Sequence, residues 1–295
     1  MSPAMIKTEA LVYSYERQQP PVLNAINLCI KEGEYVAIIG PNGCGKTTLV
    51  RHFNALLLPT AGEVWIDELN TRDSRSVVEI RRRVGMIFQN PDNQIVGMTV
   101  EEDTSFGPGN LGLPSSEIRR RVDEALATVG LEEYATWPPH HLSGGQKQLL
   151  ALAGVLAMRP KYIVLDEPTS FLDPITREHV LAVLKQLHRK GITIVQVTHN
   201  MEEAAVADRV IIMNQGMLVA DGPPSEVLSD IPRLRMLGLA PPRITELMYR
   251  LQRMGVDVRT NVFTVADAAA EIMALIDRLR KQAGALHGWE AHRHV

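Results

Sequence analysis

The stretch GPNGCGKTT, residues 40–48, decides the fold, because it matches the phosphate-binding loop pattern GxxxxGK[ST]. An apolar run at residues 35–39 precedes it and a helical pattern at residues 48–55 follows, which is the context that the pattern requires. Glycines let successive backbone amides face phosphate oxygens, and the helix N-terminus adds partial positive charge. The sequence therefore predicts a site for a nucleoside triphosphate.

Two residues of this loop have individual predicted roles. Lys46 supplies a full positive charge to the β- and γ-phosphates, and Thr47 is placed to offer its hydroxyl to Mg²⁺. The predicted nucleotide-binding residues of the loop are Gly40, Asn42, Gly43, Cys44, Gly45, Lys46, Thr47 and Thr48. The alternative is a glycine-rich turn that contains a lysine by chance.

The composition is that of an ordinary soluble globular protein. With 295 residues and 45% hydrophobic content, the chain is long enough for one large domain and a small one. A net charge of -3 gives no indication of a nucleic-acid partner. Two cysteines, Cys29 and Cys44, are too few for a disulfide framework and indicate a reducing compartment. No stretch approaches the roughly 20 apolar residues that span a bilayer, so we expect any work at a membrane to need a partner that spans it.

Short apolar β-rich runs flank helical patterns, which is typical of a parallel α/β core. The predicted strands cover residues 6–14, 25–30, 35–40, 64–67, 84–89, 162–166, 192–198 and 210–214. Between residues 91 and 160 the pattern becomes helical, and Ser116 has the position of a helix cap. The apolar stripe that follows consists of Ile118, Val122, Leu126 and Val129. We predict a helical subdomain at about residues 91–160.

The segment after residue 235 has a different organisation. Prolines interrupt residues 230–242, and two amphipathic segments follow at residues 245–254 and 265–282. In the second segment, Thr264 and Asp267 have the spacing of a capping pair. Its predicted apolar face consists of Ala269, Ile272, Ile276 and Leu279. These patterns predict one domain over residues 1–235 and a small helical C-terminal domain over residues 236–295.

Polar residues follow several predicted strands, at the edge where open α/β sheets bind ligands. In YIVLDEP, residues 162–168, Asp166 can hold Mg²⁺ and Glu167 is the candidate general base for an attacking water. His199 ends TIVQVTH and is assigned to the γ-phosphate, and Gln89 ends GMIFQ, where its amide can contact both Mg²⁺ and the water. The alternatives are a capped turn with two solvated acids, a hydrogen-bonded histidine at a strand end and a surface glutamine. The predicted catalytic residues are Glu167, His199, Gln89 and Lys46, and the predicted metal ligands are Thr47, Gln89 and Asp166.

The segment LSGGQ, residues 142–146, provides a second candidate anion site. Ser143 and two glycines stand at the head of a predicted helix, so amides and the helix dipole favour a phosphate there as well. The chain therefore has two phosphate-facing helix ends but only one lysine-bearing loop.

Taken in order, these motifs resemble the nucleotide-binding domain of an ABC ATPase, whose signature motif is LSGGQ. The resemblance covers about residues 5–230 and includes Gln89, LSGGQ, LDEPTS, FLD and His199 after the phosphate loop. It implies an ABC-type P-loop NTPase fold with a mixed sheet, and ATP with Mg²⁺ as the bound species. It also implies that LSGGQ of one chain closes over ATP held by the loop of a second chain, so that two chains pair head to tail.

The resemblance also adds residues to the predicted site. Tyr15 matches the family's adenine-stacking aromatic, with core packing as the alternative. Asp173, in the FLD element, is expected at the seam between the two chains. The signature residues expected on the nucleotide are Ser143, Gly144, Gly145 and Gln146.

Other segments resemble one branch of this family. QNPDNQIVGMTVEEDTSFGPGNLGLP, residues 89–114, GGQKQLLALAGVLAMRP and the tail beginning LGLAPPRITEL are similar to the ATPase A component of energy-coupling-factor importers, of the cobalt, nickel and vitamin uptake type. This resemblance implies a peripheral ATPase at the cytoplasmic face of the cell membrane, under a transmembrane coupling subunit, with a small membrane protein that binds the substrate. The loop at residues 90–95 would flank the groove that receives the coupling helices.

Three other functions compete with this interpretation. An ATPase of another ABC transporter branch would differ in its membrane subunit. A soluble ABC switch protein acting on DNA or ribosomes usually has a long coiled-coil insertion or two cassettes, and this sequence has neither. A regulatory module without turnover is disfavoured because Glu167 and His199 are both present. Departures from the family pattern are Leu149 and Gly154 in place of common arginines, Cys44 in place of serine and the bulky Phe171 near the expected seam.

Overall fold

The computed structural model describes residues 5–16 and 20–291, with side chains up to residue 280. This part of the chain forms ten strands and eleven α-helices. The strands are β1 Met5–Tyr13, β2 Leu23–Lys31, β3 Tyr35–Ile39, β4 Ala61–Ile66, β5 Leu69–Asn70, β6 Val84–Ile87, β7 Tyr162–Asp166, β8 Thr193–Val197, β9 Arg209–Asn214 and β10 Met217–Gly222. The helices are α1 Lys46–Phe53, α2 Val77–Arg83, α3 Val100–Asn110, α4 Ser115–Val129, α5 Gly144–Ala157, α6 Pro174–Arg189, α7 Met201–Ala204, α8 Pro224–Val227, α9 Ile231–Met236, α10 Arg243–Arg253 and α11 Val265–Ala291.

A six-stranded sheet with the order β10-β9-β3-β8-β7-β6 forms the centre of the molecule. Its strands pair in parallel, except that β10 pairs antiparallel with β9. Every residue of β3, β7 and β8 is buried, because both faces of the sheet are covered, as continuous apolar runs predict. The parallel α/β core is confirmed, and β10 makes the sheet mixed.

Two strands were not predicted from the sequence. Strand β5 has only two residues, and β10, MLVADG, ends in polar residues and so lacks a continuous apolar run. The other predicted strands differ from the observed ones by at most a few residues at their ends.

A four-stranded antiparallel sheet, β2-β1-β4-β5, covers one side of the central sheet. Its buried residues Ile6, Ile30 and Ile66 belong to the same apolar core as Val36 and Ile38 of β3. Helix α1 contributes Leu49 and Phe53 to this core. The helix that follows the phosphate loop is therefore held between the two sheets.

Helices α3, α4 and α5 pack together in the segment predicted as helical. The stripe on α4 is confirmed, since Val122, Leu126 and Val129 are buried and Ile118 packs against the same core. The predicted cap is wrong. Helix α4 begins at Ser115 after Pro114, whose extended backbone marks the helix start, so Ser116 lies inside the first turn.

Helices α10 and α11 enclose a small separate core. Its buried members are Met248, Val258, Val262 and Ala268. The Thr264 hydroxyl accepts a hydrogen bond from the Asp267 backbone amide at 3.1 Å, as the capping spacing predicts. The predicted face of α11 is partly wrong, because Ala268, Ile272 and Leu275 face this core, whereas Ala269 and Leu279 are exposed. In an alanine-rich turn the sequence gives little contrast between neighbouring faces. Residues 292–295 of the predicted C-terminal domain lie outside the described residues.

Among the described residues, no helix has the combination of length and apolar character that crossing a bilayer requires.

Candidate active site

The carboxyl ends of four adjacent strands bring the predicted polar residues to one edge of the central sheet. Gly40 follows β3, His199 comes soon after β8, and Glu167 directly follows β7. Gln89 lies two residues beyond β6. Because β3, β8, β7 and β6 are neighbours in this order, residues far apart in the sequence converge at this edge.

A cavity of about 510 Å³ opens in front of the phosphate loop. The predicted residues that line it are Tyr15, Asn42, Gly43, Gly45, Lys46, Thr47, Thr48, Gln89 and Glu167. Val22 also lines it and was missed, because nothing in the sequence around an isolated valine indicates a ligand contact. Gly40 and Cys44 belong to the same loop but do not line the cavity, and Cys44 is buried behind it.

Glycine is required at two positions of the loop for different reasons. A Cβ on Gly40 would come within 2.2 Å of the Met213 carbonyl oxygen. Gly45, which precedes α1, has a φ of 104°, in the left-handed region that favours glycine. The loop can therefore pass close to β9 and turn sharply into the helix.

The Lys46 ammonium group is held by the loop itself. Its Nζ donates hydrogen bonds to the carbonyl oxygens of Gly40 at 2.8 Å and of Pro41 at 3.0 Å. The residue is only 6% exposed. A full positive charge is thus fixed beside the backbone amides of the loop, where an anion would be stabilised most strongly.

The hydroxyl of Thr47 and the carboxyl group of Asp166 lie together at one side of the loop. The Thr47 hydroxyl donates to Asp166 Oδ1 at 2.9 Å, and Asp166 is 4% exposed. Burial raises the pKa of this carboxyl group, while the Thr47 hydrogen bond and the charges of Arg51 and Lys46 act against the increase. A hydroxyl and a carboxylate are the ligands that hard divalent cations prefer, so the donor set fits a site for one.

Glu167 lies at the centre of the polar residues. Its Oε2 accepts hydrogen bonds from Gln89 Nε2 at 3.0 Å and from the Ser170 hydroxyl at 2.9 Å, and it lies 3.4 Å from His199 Nδ1. Its φ of 51° is unusual for a residue with a side chain and stores backbone strain. The structure therefore brings Gln89, Glu167 and His199 together. It adds Ser170, which could have been suspected only from its closeness to Glu167 in the sequence.

Tyr15 is positioned by two other aromatic rings. It packs edge-on against Tyr13 with 5.0 Å between ring centroids, and Tyr13 packs edge-on against His52 at 4.9 Å. The Tyr15 hydroxyl lies 3.1 Å from Thr48 Oγ1, and the residue is 54% exposed. An exposed ring on a packed support is suited to stack with a flat ligand group.

Helix α5 begins at the LSGGQ segment with a complete capping box. The Ser143 hydroxyl accepts from the Gln146 amide at 3.3 Å, and the Gln146 side chain accepts from the Ser143 amide at 2.9 Å. Gly145 is packed tightly, because an added Cβ would lie 2.2 Å from Thr176 Cγ2. Gly144, in contrast, faces open space.

The signature residues do not share a cavity with the phosphate loop. Among the described residues that line the loop cavity, none belongs to LSGGQ, and Asp173 is also absent. Asp173 instead caps α6, where its carboxylate accepts from the amides of Ile175 and Thr176. These bonds, with that of the Thr176 hydroxyl as the largest contribution, lower the pKa of Asp173.

A second, larger groove of about 530 Å³ lies on the helical side of the molecule. Helices α2, α3 and α5 contribute to its walls, together with residues that follow β6. Gln94 lines this groove and also binds the backbone after β6, since the Phe88 amide donates to its side-chain oxygen at 2.8 Å. Large apolar side chains are exposed here, with Val78 at 75% and Phe106 at 56%. Such an apolar groove is typical of a protein interaction site.

Fold and site together define a P-loop ATPase cassette in which the signature residues do not line the cavity at the phosphate loop. A model of the ABC transporter family matches residues 23–170. The chain belongs to this family, and as one of its ATPase cassettes it binds and hydrolyses ATP. The resemblance, the fold class and the enzyme class predicted from the motifs are confirmed.

Two related proteins and two solved structures show which members of the family this chain is similar to. The chain is 54% identical over 270 residues to the cobalt import ATP-binding protein CbiO of Syntrophus aciditrophicus, covering 92% of this chain and 96% of the relative. It is 49% identical to the energy-coupling factor transporter ATP-binding protein EcfA1 of Caldanaerobacter subterraneus, over 89% of this chain and 96% of the relative. The structure of cbiO1 from Clostridium perfringens, part of the ABC transporter complex cbiONQ, superposes with a TM-score of 0.73 at 39% identity, covering 84% of this chain and 100% of the other. The cassette MJ0796, a dimer with ADP and Pi, gives a TM-score of 0.68 at 35% identity, covering 75% of this chain and 99% of the other.

Proposed function

We propose that this chain is the ATP-hydrolysing subunit of an energy-coupling-factor importer that takes up a vitamin or a transition metal ion. It pairs head to tail with a second ATPase chain, identical or paralogous. The pair sits at the cytoplasmic face of the membrane under a transmembrane coupling subunit, which also contacts a small membrane protein that binds the substrate. The names of the two curated relatives, a cobalt import protein and an energy-coupling factor protein, support this branch of the family.

The proposal rests mainly on one observation, that the phosphate loop and the signature segment of the same chain do not line the same cavity. The loop cavity contains Lys46 and Glu167, but the described signature residues lie elsewhere on the surface. A complete ATP site therefore needs LSGGQ from a second chain, and the dimer of MJ0796 with ADP and Pi supports this pairing. Head-to-tail pairing places each signature helix over the partner's loop and closes two sites at once.

Within one half-site each residue has a distinct role in this proposal. Lys46 and the loop amides bind the β- and γ-phosphates, and Tyr15 stacks on the adenine. Thr47, Asp166 and Gln89 would hold Mg²⁺, which would supply neutralisation of the phosphate charge.

Glu167 is the proposed general base for the attacking water. Gln89 and Ser170 both donate to its Oε2 and so fix the direction of the carboxylate. His199, at 3.4 Å from the same oxygen, contacts the γ-phosphate. Positioning of the water and of the γ-phosphate is the main source of rate in phosphoryl transfer.

The signature helix completes the γ-phosphate site from the other chain. Because the Ser143 hydroxyl accepts its capping bond from Gln146, its own proton is available for a phosphate oxygen. The amides of Gly144 and Gly145 and the helix dipole supply further stabilisation, and Asp173 lies at the seam between the chains.

The groove beside Phe106 receives the coupling helices of the membrane subunit in this proposal. Gln94 reaches both the groove and the segment that carries Gln89. Lys147 of the signature helix forms an ion pair with Asp92 of that segment at 2.7 Å. A displacement of the coupling helices would thus be transmitted to the segment of Gln89 through Gln94. It would be transmitted to the signature helix through the ion pair of Asp92 with Lys147.

The C-terminal domain, residues 236–295, is proposed as a contact between the two ATPase chains. It has its own small core around Met248, so it can present a fixed surface. Met254 and Met273 on its surface are 80% and 56% exposed, and methionine adapts well to a partner surface.

A pull-down from native membranes in mild detergent tests the proposed function. The tagged chain is isolated and all retained proteins are identified by mass spectrometry, with a variant of the groove, Phe106→Glu, as the matched control. We expect a multi-helix coupling protein, a small substrate-binding membrane protein and an ATPase partner with the unaltered chain, and loss of the membrane proteins with the variant. Recovery of a conventional permease, or of ribosomes or DNA without membrane proteins, would contradict the proposal.

A further inference from the structure

Glu203 is a buried carboxylate that lies behind the candidate catalytic residues and has no role in the mechanism above. It is 2% exposed and belongs to the short helix α7. Its Oε1 accepts from the Thr169 hydroxyl at 2.7 Å. Its Oε2 accepts from Gln196 Nε2 and from the Thr198 hydroxyl, both at 2.8 Å.

The direction of these hydrogen bonds is fixed by their neighbours. The phenol of Tyr35 is fully buried, burial raises its pKa, and it donates to Gln196 Oε1. The Gln196 amide group must therefore face Glu203 and donate to it. Thr198 accepts from the Asn200 backbone amide at 3.0 Å, which leaves its hydroxyl proton for Glu203. Three donors thus converge on one carboxylate, and they require an acceptor at that position.

These three donors belong to the segments that carry the catalytic residues. Thr169 lies two residues after Glu167, and Thr198 directly precedes His199. Glu167 has the strained φ of 51°, and its amide donates to the Val197 carbonyl at 3.0 Å. A backbone in this region persists only where its surroundings hold it. Through Glu203, a chain of side-chain hydrogen bonds from Thr169 to Thr198 joins the two segments behind the Glu167–His199 contact.

A positive charge compensates the carboxylate from a third segment. Arg177 Nε lies 3.8 Å from Glu203 Oε1 and is buried without a hydrogen-bond partner of its own in the described structure. Arg177 is on α6, the helix that Asp173 caps. Glu203 therefore contacts three parts of the chain: the segment that carries Glu167, the segment that carries His199, and helix α6, whose cap Asp173 is predicted to lie at the seam.

We propose that Glu203 is a positioning residue that sets the distance between Glu167 and His199 and thereby the rate of ATP hydrolysis. This inference rests on the proposed roles of Glu167 and His199. Glu203 does not reach the loop cavity, so it affects the chemical step and leaves nucleotide binding to the phosphate loop. Loss of the tie lets the strained turn at Glu167 relax and moves its carboxylate out of line with the γ-phosphate.

The central comparison is between Glu203→Ala and Glu203→Gln. Alanine removes all three acceptor contacts, and we expect kcat to fall by about tenfold to a hundredfold, the cost of a misplacement near 1 Å. Glutamine keeps one oxygen for Gln196 and Thr198, and its amide group can donate to Thr169, whose hydroxyl can turn to accept. We expect Glu203→Gln to retain kcat within about fivefold, because all three hydrogen bonds can still form although the charge opposite Arg177 is lost.

The measurement separates positioning from general damage. ATP hydrolysis is measured on the complex purified through this chain, and nucleotide affinity is measured by equilibrium binding on the full chain. A positioning role lowers kcat and leaves the nucleotide Kd within about twofold of the unaltered chain. Thr8→Val is the stability control, because it removes a buried hydroxyl bonded to the Ile26 carbonyl in the antiparallel sheet, remote from the site. It is expected to lower the melting temperature without lowering kcat.

Thr169→Val gives a second route if Glu203→Ala folds poorly. It removes one donor at nearly constant shape and should by itself reproduce part of the loss in kcat. Where Glu203→Ala does fold, adding Thr169→Val to it should cost little more. The inference would be overturned if Glu203→Ala had an unchanged kcat, or if its nucleotide affinity weakened as much as its kcat fell. It would also be overturned if the effects of Thr169→Val and Glu203→Ala on kcat were fully additive. Glu167→Gln is measured in parallel: if it remains active, the proposed function of Glu167 fails, whereas an inactive Glu167→Gln with an active Glu203→Ala rejects the role of Glu203 alone.

Discussion

At the residue scale, Asp166 illustrates a conflict between stability and chemistry. The side chain is nearly fully buried, and burial raises its pKa above the ordinary 3.8. A raised pKa means that the folded chain binds a proton more tightly than the unfolded chain does, so ionisation at neutral pH lowers the free energy of unfolding. The full loss of stability is present at pH values above the pKa of Asp166 in the folded chain. The loss shrinks as the pH falls from that pKa to the unfolded value of 3.8, and below 3.8 it is gone.

Asp166→Asn should therefore stabilise the protein and, because it removes a charge from the proposed Mg²⁺ site, abolish ATP hydrolysis. Asparagine keeps an oxygen for the Thr47 hydroxyl but carries no charge to desolvate. We expect a higher free energy of unfolding than that of the unaltered chain at pH 7, and a difference that vanishes toward pH 3.8 and below. Urea unfolding of both chains over a pH series, without nucleotide, measures this difference in the free energy of unfolding. A variant that is less stable at pH 7 would contradict the raised pKa.

Cys44 yields a second prediction at this scale. Burial raises the pKa of its thiol, so the reactive thiolate is scarce and shielded. In a Cys29→Ser variant, alkylation of Cys44 should be slow, and complete modification should weaken ATP binding at least about tenfold, a loss of roughly 1.4 kcal/mol. The rate is followed by mass spectrometry and the affinity by equilibrium binding. Unchanged affinity after complete modification would place the thiol away from the phosphate-binding amides.

At the element scale, the start of α5 contains two glycines with opposite surroundings. Gly145 packs against Thr176 of α6, whereas Gly144 faces open space. Gly145→Ala forces the two helices apart and should lower the free energy of unfolding by about 1–3 kcal/mol, the usual cost of overpacking. Gly144→Ala should be neutral or stabilising by up to about 1 kcal/mol, because alanine restricts the unfolded chain.

Urea unfolding and ATP hydrolysis distinguish the two variants. Gly144→Ala adds its methyl group on the surface that we propose covers the partner's ATP, so it should reduce hydrolysis despite normal stability. The result that contradicts the packing argument is a Gly145→Ala chain as stable as the unaltered one. Hydrolysis at the normal rate by Gly144→Ala would place the ATP elsewhere.

At the scale of the whole molecule, the proposed pairing of chains leads to a prediction for Glu167→Gln. Glutamine preserves the shape of the side chain but cannot act as a base, so ATP should remain bound and hold two chains together. Size-exclusion chromatography with light scattering should then show an ATP-dependent dimer, and turnover should fall by about a hundredfold or more. A variant with turnover within about twofold of the unaltered chain would rule out this role for Glu167.

The sequence predicted the parts of the molecule that depend on continuous local patterns. The buried runs of β3, β7 and β8 and the polar residues at their ends could be read directly, because parallel strands are apolar throughout. Glu203 could not be found, because its contacts depend on which strands are neighbours, whereas Ser170 is only three residues from Glu167 and could at most be suspected from that closeness. Thr169 and Glu203, for example, are 34 residues apart in the chain. Predictions were also wrong where adjacent residues have the same side chain, as with Ser116 at the start of α4 and Ala269 on the face of α11.

The order of the strands has a consequence for how this chain tolerates changes in length. The loop after β3 and the residues after β8, β7 and β6 form a row across adjacent strands, with about 4.8 Å between neighbours. Insertions in the surface connections leave this row intact, because they do not alter the positions of the strand ends. A deletion of one residue inside β7 would instead displace Asp166 and Glu167 by about 3.3 Å and turn each to the opposite face of the sheet. The protein can therefore gain or lose whole surface loops more easily than a single residue of a central strand.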